Sequence, residues 1–119
     1  MDHVVLSLPM FNYAVVLITN EEGWKDIAPS LSRVDQHWLA DSCACVWANG
    51  ATSVVCLDPT DPQELHTYAG TVAHEATHVF QNMCEYISDD KPSDEFEAYL
   101  IGYITGWLLE HTLPLYLEN

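Results

Sequence analysis

The segment His74-Glu75-Ala76-Thr77-His78 sets two imidazoles four residues apart with a carboxylate between them. On a helix, side chains four apart leave the same side one turn apart, so both rings can converge on a single metal ion. The intervening Glu lies about 100° around the axis and can reach a water held by such an ion. With 6 His in the chain, roughly 0.02 matches to this H-E-x-x-H spacing are expected in a shuffled sequence. The competing reading is two ordinary surface histidines, because His74 and His78 share their side of the helix with Thr67, Thr71, Gln81, Asn82 and Glu85.

Glu97, on the next helical segment, is the candidate third ligand. At about 100° per residue, Ile101, Ile104 and Leu108 fall within about 40° of it, and Leu100 and Trp107 border the same arc. An ionised carboxylate on an apolar stripe is costly without a cationic partner, and a divalent ion on His74 and His78 would be one. Proximity to the helix start offers a second account, since acids there are favoured and partly exposed. Glu95, about 160° away with Tyr99, Gly102, Gly106 and Glu110, reads as a solvated first-turn acid. Two His and one carboxylate around an open position are the ligand set of a catalytic zinc ion.

The elements that must carry these residues follow from pattern. Residues 3–8 and 13–19 are β-branched and apolar, which predicts two strands. Thr19 with Glu22 three places on predicts a capping box and a helix over about 20–28. Residues 30–41 carry no clear pattern. Asn49-Gly50 between Cys43–Ala48 and Ala51–Leu57 predicts a type I′ hairpin in which Cys43 opposes Cys56 at a non-hydrogen-bonded pair. Asp61-Pro62-Gln63-Glu64 reads as a helix start, with Asp61 at the N-cap, for a helix over about 62–86. Leu65, Ala69, Val72, Ala76, Val79, Phe80 and Met83 form its apolar face. After the loop Asp89-Asp90-Lys91-Pro92, Ser93 caps a second helix over about 94–110, and Pro114 ends regular helix. The expected class is α+β: a small antiparallel sheet with a hairpin, packed against two long helices.

Composition narrows the functional classes. The chain has 119 residues, enough for one domain over 1–119, and 49% of them are hydrophobic, enough for a core. Eighteen acids against three Lys plus Arg give a net charge of −15, which opposes attraction to phosphate backbones or anionic lipid. We therefore expect no nucleic-acid and no membrane partner. Ten of the acids (Asp58, Asp61, Glu64, Glu75, Glu85, Asp89, Asp90, Asp94, Glu95, Glu97) lie between residues 58 and 97 against one Lys. That field favours a dication and a basic peptide or protein, although it is equally what a solubilising surface requires. The start lacks a basic stretch followed by an apolar run, and the expected location is cytoplasmic. Cys43, Cys45, Cys56 and Cys84 are too few and unevenly spaced for a disulfide framework, so free thiols are expected.

His74-Glu75-x-x-His78, followed nineteen residues after the second His by Glu97-Ala98, resembles the gluzincins, the thermolysin-like branch of zincin metallopeptidases. Its compactness is similar to that of small zincin-like proteins of phages and prophages. The resemblance spans about residues 43–110. It implies a minimal zincin-like core, zinc held by His74, His78 and Glu97, and Glu75 as general base in peptide-bond hydrolysis. The chain departs from the pattern at Ile101, where gluzincins often carry an acid that orients a zinc-bound His. That role falls to Asp94, Asp58 or a backbone carbonyl, and His66, Tyr68, Tyr86 and Tyr103 are the unranked candidates for stabilising an oxyanion. Two alternatives stand beside the peptidase: a non-catalytic zinc-binding protein acting through its acidic surface on a basic partner, and an acidic mimic of DNA.

Overall fold

In a computed structural model, described here over residues 3–31, 38–39, 43–87 and 92–118, the chain forms a four-stranded sheet and three α-helices. The class is α+β. Strands β1 (His3–Leu8), β2 (Tyr13–Ile18), β3 (Ala44–Asn49) and β4 (Thr52–Leu57) lie in the order β1-β2-β4-β3. β1 and β2 pair antiparallel across a tight 3-10 connection that ends at Asn12 with φ 51°. β3 and β4 also pair antiparallel, but β2 and β4 run parallel, Ala14 opposite Thr52 through Ile18 opposite Cys56. The sheet is therefore mixed rather than antiparallel throughout, because the segment between β2 and β3 returns the chain to the same end of the sheet.

Alternation along β2 and β4 sends side chains to two cores. Val15, Leu17, Val55 and Leu57 face the long helices α2 (Leu65–Tyr86) and α3 (Asp94–Leu117), where they meet Val72, Val79, Met83, Ile104 and Leu108. Ile18, Val54 and Cys56 face the short helix α1 (Glu21–Ile27) and its buried Trp24. Central strands covered on both sides read as nearly continuous apolar runs, as Val15-Val16-Leu17-Ile18 does. Each fully buried Val, Leu or Ile contributes about 1.5–3 kcal/mol, so this double layer is what holds α2 against the sheet.

Several local expectations are corrected. The β3–β4 turn is centred on Gly50 and Ala51, with Gly50 at φ 61° and Asn49 paired to Thr52. A single positive φ at the first central residue is the II′ pattern, which needs only the glycine, whereas I′ would also demand it of Ala51. The register shifts by two, so Cys45 rather than Cys43 stands opposite Cys56. α1 is capped by Asn20, whose side chain accepts from Gly23 N at 2.8 Å, and not by Thr19.

α2 begins at Leu65 with Glu64 as N-cap, three residues later than the Asp61-Pro62 signal. Asp58 organises the preceding turn by accepting from Thr60 N at 3.0 Å, while its carbonyl accepts from Asp61 N. Gln63 O is taken by the Tyr116 hydroxyl at 2.6 Å. Leu65 is 56% exposed, and Tyr68 takes its place in the buried face. Ser93 caps α3 as expected, accepting from Phe96 N at 3.2 Å. The helix continues through Pro114 to Leu117, because stacking of Tyr116 on Tyr68 at 4.5 Å secures its last turn. The expected loop at 89–92 lies largely outside the described residues.

Candidate metal centre

The row Gly70, His74, His78, Asn82 runs along α2 at four-residue spacing, and Thr71 and Glu75 stand beside it. This side of the helix borders the edge strand β3. Between them lies a shallow trough of two adjoining hollows of about 350 and 340 Å³ that share Ala44, His74 and Glu75. Cys43, Gly70 and Thr71 line one, and Cys45, Val46, His78 and Asn82 line the other. Gly70 and Ala44 leave the trough open because neither brings a bulky side chain.

His74 Nε2 and His78 Nε2 are 3.2 Å apart, with their ring planes at 83°. Two imidazole nitrogens each about 2.0–2.1 Å from a tetrahedral zinc ion would stand about 3.3 Å apart, so the spacing suits joint ligation. His78 Nδ1 is 3.0 Å from Gln81 Oε1. An amide oxygen can only accept, so the His78 ring carries its proton on Nδ1 and turns the Nε2 lone pair toward His74. In the metal-free pair, His74 Nε2–H donates to that lone pair. Gln81 is thus the partner that orients the His78 ring.

Glu75 is 6% exposed, a carboxylate largely withdrawn from water. Burial raises its pKa above the ordinary value, and the neighbouring His74 and His78 pull it back in part. A carboxylate of raised basicity at the shared edge of both hollows is placed to accept a proton from a water in the trough. Below it, Asn82 Nδ2 donates to Ser53 Oγ at 3.4 Å, and Ser53 Oγ bonds the buried Tyr13 hydroxyl at 2.6 Å. This chain of contacts fixes the register of α2 on the sheet.

Glu97 stands in the first turn of α3 and is half-buried. The trough that His74 and His78 line is closed by β3, and no α3 residue borders either hollow. Among the described residues, no three His, Cys, Asp or Glu side chains gather in a group that could hold a metal ion. The structure brings His74 and His78 together with Glu75 in the same trough lining, and Glu97 borders neither hollow. Tyr68 is buried on Thr112, His66 lies beside Glu64, and neither they nor Tyr86 and Tyr103 border the trough. Gln81 and Asn82 were missed as site residues, yet both sit at helical distance from His78. Comparison of the chain with family models, curated proteins and solved structures returns no match.

Proposed function

We propose that this chain is a zinc-dependent metallopeptidase-like protein whose metal is held by His74 and His78, with Glu75 as the general base. The observation that carries this reading is the 3.2 Å approach of the two Nε2 atoms at the edge of an open trough. A zinc ion bound there would supply Lewis acidity to a peptide carbonyl and lower the pKa of a nearby water. Glu75 accepts the proton at its buried carboxylate, Gln81 holds the tautomer of His78, and β3 walls the trough on the far side. The acidic surface favours basic peptides or proteins as substrates.

The expected outcome is about one zinc per chain by elemental analysis, lost in His74→Ala and His78→Ala and kept in Glu75→Gln. Cleavage of a peptide library by the wild type, abolished in Glu75→Gln, completes the test. Absence of bound zinc in the reconstituted wild type overturns it. Glu97 remains the proposed third ligand from the sequence pattern, and because it borders neither hollow, Glu97→Ala is expected to weaken zinc less than either histidine replacement.

A second reading is favoured by the absence of a third ligand from the group among the described residues. It is a zinc-binding protein without turnover, acting on a basic partner through its acidic surface. Stable zinc binding with no cleavage of any library member selects it.

A further inference from the structure

Cys45 and Cys56 are direct partners across β3 and β4. The bond from Asp58 N to Cys43 O at 3.0 Å makes residues 43 and 58 a hydrogen-bonded pair, and by the antiparallel alternation Cys45 and Cys56 are one as well. Such partners have Cα atoms about 5.5 Å apart, inside the roughly 4.4–6.8 Å that a disulfide spans. Both side chains lie on the α1 side of the sheet, Cys56 at 1% exposure among Ile18, Trp24 and Val54, and Cys45 half-buried at its margin. Cys45 also borders the hollow that His74, Glu75 and His78 line, but neither thiol is a ligand in the zinc reading, and no three-residue metal group includes them among the described residues.

We infer that Cys45 and Cys56 form a thiol–disulfide exchange site for low-molecular-weight disulfides, with Cys45 the attacking thiol and Cys56 the resolving one. Cys45 is the accessible member and belongs to the sheet edge. The neighbouring Cys56 thiol holds the Cys45 pKa below its ordinary value against burial and the Glu75 carboxylate, while Cys45 and burial push that of Cys56 up. In the first step the Cys45 thiolate attacks one sulfur of the external disulfide, forming a mixed disulfide and expelling one thiolate, which takes up the proton that Cys45 gave up. In the second, Cys56 loses its proton and attacks the Cys45 sulfur, closing the cross-strand bond and releasing the second thiol. Two protein thiols are oxidised, one external disulfide is reduced to two thiols, and no other oxidant is needed.

The test uses the full chain carrying Cys43→Ser and Cys84→Ser, equilibrated in buffers of graded oxidised to reduced glutathione, with thiol titration after denaturation and peptide mapping. The expected result is joint loss of both thiols and a Cys45–Cys56 cross-linked peptide, reversed by reductant. Adding Cys56→Ala is expected to halt the reaction at glutathionylated Cys45. Should that variant fail to fold by circular dichroism, mapping of the wild type replaces it, with the Cys45–Cys56 peptide expected as the first cross-link. Thiols that stay free in fully oxidised buffer, a lasting mixed disulfide on Cys45 beside free Cys56, or a first wild-type cross-link at another pair would each overturn the inference.

Discussion

Glu75 concentrates the chemistry and the cost of the site in one carboxyl. Its pKa is raised by burial from an ordinary 4.5, which means the folded chain holds this proton more tightly than the unfolded chain does. The stability gained from that difference is complete below the ordinary value and is lost as pH rises through the raised one. In chelator-treated protein, the stability of the wild type relative to Glu75→Gln is therefore expected to fall with rising pH across this acidic range. Urea titrations of the pair at a series of pH values measure it, and parallel curves would remove burial of the charged form as the cause. The Gln81 amide is the second residue on which the site depends. Gln81→Leu frees the His78 tautomer and is expected to weaken zinc binding by about 10- to 100-fold, read by competition with a chromophoric chelator, with little change in melting temperature.

At the scale of elements, α3 carries two glycines that the fold does not use. A Cβ added at Gly102 or Gly106 meets nothing within 4 Å, and each glycine costs a helix interior about 0.5–1 kcal/mol relative to Ala. Gly102→Ala and Gly106→Ala are each expected to raise stability by about that amount in urea denaturation. The elements were largely legible in the sequence, since β1 and β2, the two long helices and the Ser93 cap follow directly from β-branched runs, 3-4 spacing and a hydroxyl before Asp94-Glu95. What escaped was settled by distant partners. The entry to α2 depends on Tyr116 claiming Gln63 O, and the extension of α3 past Pro114 depends on the Tyr68 ring, neither of which local pattern encodes. The His74–Glu75–His78 cluster was legible because one helix turn generates it. Glu97 rests on a weaker signal, because an apolar stripe fixes which side of α3 is buried but not what lies opposite it.

For the whole molecule, the charge of −15 and the mixed sheet set the behaviour. Among the described residues, no helix is long and apolar enough to cross a membrane. The parallel contact of β2 with β4 has a consequence for how the chain reaches this state. Two ribbons close locally, β1 onto β2 and β3 onto β4, but Ala14 meets Thr52 only after the intervening chain has looped back. Closing that seam is the entropically demanding event. Leu17→Ala, in the seam, is expected to slow refolding in stopped-flow measurements, whereas Leu108→Ala, on the last helix, mainly hastens unfolding, each costing about 2–5 kcal/mol. The wall beside the histidine pair comes from β3 and not from α2 itself, so a chain whose helix had formed but not yet packed on the sheet would still offer zinc two imidazoles but would have no trough beside them.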